Sequence, residues 1–188
     1  MRDQPSQAAR RTMLGTLRRL RGANDGVSAV EFAIIAPLML VLYFGSVELS
    51  LLMQADRRVT SASATMGDLT ARSATVADND IDQIFAAAEF VMAPLPTQNA
   101  RLRISSFVAD PAGNVTVGWS DARNTAPLSV GAPVTDLPNG VIAPGGSVIF
   151  AEVEYQYSSR IEFVLKGERQ LEEEFYMRPR RVNAIPRN

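Results

Sequence analysis

Hydrophobic and polar positions change rhythm along this chain. From Phe32 to Met53 the residues FAIIAPLMLVLYFGSVELSLLM form an apolar run of 22 residues, broken by one charge at Glu48. At about 1.5 Å per residue such a helix reaches ~33 Å, enough for a hydrocarbon core of about 30 Å. Beyond Met53 the pattern stays helical but turns amphipathic. Val59, Ala62, Met66 and Leu69 follow the spacing of one helix face, with Gln54, Asp56, Arg57, Arg58 and Thr60 largely off it. The spacing predicts one long helix over about residues 28–75, whose second half lays its stripe on an outer domain as ordinary core packing. A second helix is predicted from Ile81 to Met92, ended by Pro94 and Pro96.

From residue 100 the period becomes two. Leu102, Ile104 and Ser106 alternate with Arg103, Ser105 and Phe107, a strand over 101–109. Asp110-Pro111-Ala112-Gly113-Asn114 is a turn signal, and 115–119 a second strand, completing a hairpin. Residues 121–146 carry four prolines and four glycines, a long loop suited to a binding surface or to covering the sheet. Ser147 to Tyr157 alternates cleanly as a strand. Arg169 to Met177 reads as the last strand, although its glutamates also suit a short helix. The tail 178–188 is basic and is expected to be ordered only at its start. The pattern as a whole predicts an α+β fold, a small antiparallel sheet packed by helices.

Charge sharpens the reading of the apolar run. Residues 1–26 hold Arg2, Arg10, Arg11, Arg18, Arg19 and Arg21 against Asp3 and Asp25, a net of +4. Residues 27–53 carry −2 and residues 54–188 carry −3, so the overall −1 is a cancellation. Arginines on the N-terminal side predict that this side stays cytoplasmic and that the C-terminal part lies outside. The run is too long for the apolar core of a secretory signal, typically about 7–15 residues. Ala62-Ser63-Ala64 resembles a cleavage pattern but lies well past Met53, inside the helical stretch. A buried core helix of a soluble protein is the bland alternative.

The chain has no histidine and no cysteine. That removes Ser-His-Asp triads, cysteine nucleophiles, Cys-rich zinc sites and disulfide scaffolds. Asp78, Asp80, Asp82 and Glu89 fall at calcium-loop positions, but Gln83 stands where the sharp turn needs glycine, and Ile81 onward reads as helix. Their expected role is helix capping and dipole compensation. Gly140 and Gly145-Gly146 lack the strand–helix context and the lysine of a phosphate loop, and Lys166 is the only lysine. Glu152 and Glu154 share a strand face as solvated carboxylates usually do, and Arg178, Arg180 and Arg181 read as part of a solvated tail rather than a nucleic-acid patch. No catalytic residue, cofactor site or metal site is predicted, and the chain is read as not an enzyme.

The junction before the apolar run carries the most chemistry. A basic leader ends at Gly26, and Val27-Ser28-Ala29-Val30-Glu31-Phe32 follows. A carboxylate at the edge of a membrane segment is costly unless paired. A cut after Gly26 would place a new ammonium on Val27, able to meet Glu31 of a neighbouring subunit and set the stagger of packed helices. Glu31 also suits a helix N-terminus by its dipole. Pro37 blocks the bond to the Ala33 carbonyl and predicts a kink. Glu48 is expected to snorkel to the outer headgroup region. Small Val27, Ser28 and Ala29 suit close helix contact.

This junction resembles the processing site of type IV pilins, where a prepilin peptidase cuts after glycine and glutamate is the fifth mature residue. The finer resemblance is to the TadE-like family of the tight-adherence (Tad, or Flp) pilus. It rests on Gly26, Ala29-Val30-Glu31-Phe32-Ala33, Pro37-Leu38, Gly45 and Glu48-Leu49, with Asp68-Leu69, Ala71-Arg72 and Pro179-Arg180 further on. It is densest over residues 24–72, about a quarter of the chain. The resemblance implies a long N-terminal transmembrane helix continuing into a pilin-like domain. It divides the chain into a basic cytoplasmic leader (1–26), a transmembrane helix (27–53), a periplasmic pilin-like α+β domain (54–178) and a C-terminal tail (179–188). Gly26, Val27, Glu31 and Phe32 would form the processing site, and Glu31 and Pro37 would serve helix assembly. The implied role is a minor pilin or pseudopilin of the inner membrane, reaching the pilus or cell surface after processing, because the chain is much longer than the main Flp subunit of that family. Implied partners are other Tad pilins and pseudopilins, the prepilin peptidase, the inner-membrane assembly platform and membrane lipid, with no nucleic acid. The competing expectation is an uncleaved single-pass protein whose periplasmic domain binds a ligand or partner. A membrane-anchored hydrolase would need a polar catalytic cluster that the sequence does not present.

Overall fold

The structure, a computed structural model, describes residues 25–188, so the six arginines of the leader lie outside the described residues. The first helix, α1 (Asp25–Arg72), is 48 residues long with Pro37 inside it. Then come α2 (Asp78–Met92), a 3₁₀ turn (Thr97–Asn99) and four strands: β1 (Ala100–Ala109), β2 (Val115–Arg123), β3 (Ser147–Ser158) and β4 (Glu168–Met177). The strands form one antiparallel sheet in the order β2-β1-β3-β4. The α+β class and the long helix read from the sequence are both present. Two compact units divide the chain, one ending at Ser46 and one running Val47–Asn188.

In the first unit the helix keeps its apolar side chains on the outside. Phe32 and Ile34 are more than two-thirds exposed, and Leu38, Leu42 and Tyr43 more than half. Among the described residues one helix, near the N-terminus, is long and apolar enough to cross a membrane.

In the second unit, α1 and α2 cover one face of the sheet. Ala55, Val59, Ala62 and Met66 of α1 and Ile81, Ile84, Phe85, Ala88 and Met92 of α2 share a core with Leu102, Ile104, Ile149, Ala151 and Val153. The predicted α1 stripe needs one correction. Leu69 is 37% exposed, whereas Thr70 is fully buried. At 3.6 residues per turn the buried face drifts, and its last step falls at four residues, from Met66 to Thr70. The Thr70 hydroxyl is satisfied inside the helix, donating to the Met66 carbonyl at 2.9 Å. Small residues let the helix approach the strands closely: Ser63 Oγ donates to the Ala151 carbonyl at 2.9 Å, and a Cβ on Gly67 would touch Phe175 at 3.4 Å.

The opposite face carries a second core of Phe107, Val117, Val148 and Phe150, packed by Leu128, Ala132, Val134, Leu137, Val141 and Ile142 of the long loop. That loop therefore covers the sheet. The strand β2 runs four residues past its predicted end, and the register slips between Ser106 and Phe107, skipping Gly118. The slip turns Trp119 to the helix-covered core while Val117 stays in the loop-covered one.

Two further expectations are corrected. Glu152 is not solvated: it is 7% exposed, and its carboxylate accepts from Arg103 Nε at 2.6 Å. Burial raises its pKa above the ordinary 4.5, against the pull of Arg103. A raised native pKa means the folded state binds the proton more tightly than the unfolded one. Stability should thus fall as pH rises from 4.5 through the raised value, and Glu152→Gln should flatten that fall in a melting-temperature–pH series.

The tail is ordered to its end rather than only at its start. Val76 bridges to Arg187, Val76 N–H donates to the Pro186 carbonyl at 3.1 Å, and Asn188 N–H donates to the Val76 carbonyl at 2.9 Å. Ile185 is 2% exposed, and Trp119 Nε1–H donates to its carbonyl at 2.7 Å. Arg180 pairs with Asp68 at 2.7 Å. The basic tail docks because Arg180 and Arg187 find carboxylates and Ile185 joins the core.

Candidate functional site

Two features of α1 present chemistry: its first turns and the carboxylate at Glu48. Gly26 lies in the first turn of the helix. A Cβ at Gly26 would meet nothing within 4 Å, so packing among the described residues does not call for glycine there. Val27 and Phe32 are 57% and 72% exposed, and Glu31 is exposed with no hydrogen-bond or ion-pair partner among the described residues. The structure thus holds Gly26, Val27, Glu31, Phe32 and Pro37 on one helix, all at exposed positions.

Glu48 behaves differently from its expectation. It does not snorkel; it is fully buried in the second unit. Its Oε1 accepts Ser159 Oγ–H at 3.1 Å and Phe163 N–H at 2.7 Å. Its Oε2 accepts Val164 N–H at 2.9 Å and Leu165 N–H at 2.6 Å. The segment between β3 and β4 wraps this carboxylate as an anion nest. Ser159 shapes the wrap: its Oγ also accepts Ile161 N–H and Glu162 N–H at 3.3 Å each. Glu162 takes φ +50 and Gly167 φ +81, left-handed turns that aim three successive amides at one point. A buried carboxylate with four donors on two oxygens is satisfied rather than stranded. The sequence holds half of this signal, since a lone charge in an apolar run demands a partner. The partner lies 111 to 117 residues away, in a stretch with no periodicity, so no spacing rule points to it.

Other polar clusters are structurally committed. Arg123 pairs with Asp82 at 3.0 Å and Glu89 at 3.1 Å; Arg187 pairs with Asp78 and with Asp121 at 2.9 Å. Asp80 accepts the Ala77 N–H at 2.9 Å, a helix-start contact. The acidic run at the start of α2 thus takes the capping role expected of it and gains arginine partners. Glu152, Glu172 and Glu174 converge on the loop-covered side of the sheet, where Arg103 neutralises the first and Tyr176 O–H donates to the third at 2.8 Å. A cavity of about 300 Å³ is bordered by Leu51, Gln54, Arg58, Leu95, Tyr157 and Arg160. The Arg58 guanidinium is already taken by the Val91 and Ala93 carbonyls. None of these groupings, among the described residues, brings a nucleophile and a base together.

Residues 26–66 match the family model described as TadE-like protein. The match begins at Gly26 and takes in Glu31, Pro37 and Glu48. It covers 41 of the 188 residues, about a fifth of the chain. No curated protein and no solved structure matches the chain significantly.

Proposed function

From the premise of a TadE-like segment at residues 26–66, we propose that this chain is a membrane-anchored minor pilin or pseudopilin of a Tad pilus, processed after Gly26. The observation that carries the reading is the first stretch of α1. An outward-facing apolar helix starts near a glycine that packing among the described residues does not require, and the fifth residue past that glycine is a carboxylate with no partner among the described residues. Each element has a use in assembly. A prepilin peptidase cuts after Gly26 and releases the Val27 ammonium. That ammonium meets Glu31 of the next subunit, so the two charges enter an apolar bundle only in register. Pro37 leaves the Ala33 carbonyl without its helix bond and sets a bend for packing against neighbours. The arginines of the leader hold that end in the cytoplasm, and the α+β domain lies in the periplasm. Other Tad pilins, the inner-membrane assembly platform and membrane lipid are the partners.

Processing has a direct readout. Made together with its prepilin peptidase, the protein should yield an intact mass that begins at Val27. A chain still carrying residues 1–26 would mark it as an uncleaved single-pass protein instead. Charge pairing has its own test: Glu31→Ala should leave cleavage largely intact and abolish most co-purification with other pilins. Unchanged co-assembly would remove the charge-pair role.

A further inference from the structure

The Glu48 nest brings a second piece of the chain to the outer end of the apolar run. Glu48, Leu49, Leu51, Leu52 and Met53 close that run, and all five belong to the compact unit Val47–Asn188. Glu48 lies five residues before Met53, about 7 Å along a helix axis at ~1.5 Å per residue. The segment from Ser159 to Gly167, bonded to Glu48 through four donors, is therefore fixed beside the last turns of the span.

This segment exposes an unusual set of side chains. Ile161, Phe163 and Val164 are 40%, 49% and 46% exposed, and on α1 the neighbours of Glu48 in sequence, Leu49 and Met53, are 52% and 51% exposed. Arg160 and Lys166 flank them, exposed and without a carboxylate partner among the described residues. Glu162 is the one acid in the segment, so the segment carries a net +1. Apolar side chains bracketed by cations are the composition of a membrane-surface element, buried about 5–10 Å into the headgroup boundary. Arg and Lys at that level extend their charged ends to the headgroup phosphates while their stems lie along apolar surface. A contiguous apolar surface on a water-soluble face would be costly, whereas beside the end of a membrane span it has a solvent.

We infer that the 159–167 segment is a second membrane contact: Ile161, Phe163 and Val164 enter the outer interface of the bilayer, and Glu48 holds them at that depth. The inference rests on the membrane-anchored reading of α1. It adds a lipid-binding element from the far end of the chain, joined to the span by one carboxylate.

The absence of cysteine makes the test clean. Single Ile161→Cys, Val164→Cys, Leu40→Cys and Val130→Cys versions of the full chain, each carrying an NBD label, are reconstituted into vesicles of phosphatidylethanolamine and phosphatidylglycerol. Labels at 161 and 164 should brighten by about twofold and be quenched by doxyl-labelled lipid, as interfacial insertion requires. The label at 130, in the sheet-covering loop, should stay aqueous, and the label at 40 should be quenched as part of the span. Adding Glu48→Ala to the 161-labelled chain should cut its lipid quenching, with Trp119 emission reporting that the core is intact. Quenching at 40 without quenching at 161 and 164 overturns the inference and leaves the anchor standing. A bright 161 label insensitive to lipid quencher also overturns it, because the cover would then be protein. Absence of quenching at 40 removes the anchor itself, and the inference with it.

Discussion

Glu48→Ala is expected to release the segment between β3 and β4 and to do so locally. Four donors lose their acceptor at once: the Ser159 hydroxyl and the amides of Phe163, Val164 and Leu165. Left buried, those amides would be unsatisfied, so the segment should open to water instead. Amide exchange at residues 163–165 should rise from strongly protected to nearly unprotected. Trypsin should cut at Arg160 and Lys166, and the melting temperature of the unit should drop by about 5 °C or more. Glu48→Gln should recover little. Its single carbonyl oxygen can serve one pair of donors, and its amide group faces the other pair with N–H against N–H. Protection of 163–165 that survives in Glu48→Ala would mean the segment is held by its own turns and not by the carboxylate.

Removing residues 184–188 should produce the largest loss of stability in the unit Val47–Asn188. The deletion strips Ile185 from the core, the acceptor of Trp119 Nε1–H, the backbone partner of Val76 and both arms of Arg187. Burying an isoleucine contributes about 1.5–3 kcal/mol, and the indole hydrogen bond about 1 kcal/mol. The Arg187 pairs lie near the surface and add little to that sum. A loss of about 3–4 kcal/mol corresponds to roughly 10 °C in melting temperature for a unit of this size. Trp119 is the single tryptophan, so its emission should shift red in the same variant. A deletion that left melting and emission unchanged would mean the tail is dispensable to the fold.

Much of the architecture is readable from periodicity, and the misreadings share a cause. The long helix, the second helix and all four strands follow from 3.6- and 2-residue spacing, because each element buries one face against a continuous partner. What spacing cannot carry is a contact between a periodic element and an aperiodic one. The Glu48 side chain looks like a snorkelling carboxylate because its donors are backbone amides, which any sequence supplies. Ile185 looks like a lone apolar residue in a basic tail because the core it joins is assembled from elements far from it in sequence. Glu152 looks solvated because Arg103 opposes it across a strand pair, and strand register cannot be read from either strand alone. The residues at Gly26 and Glu31 are the reverse case. They are legible as a junction of charge and hydropathy, and among the described residues they have no partner that would explain them by packing.

The hydrogen bonds around Glu48 also bear on how α1 would change surroundings. A carboxylate moving from a lipid phase to a protein bundle ordinarily exchanges one solvation shell for another, and the exchange is a barrier. Here the shell is made of the chain's own amides and travels with the charge. On the proposed pilin reading, a subunit leaving the bilayer for a fibre would carry Glu48 across already solvated, leaving Glu31 as the carboxylate whose partner changes.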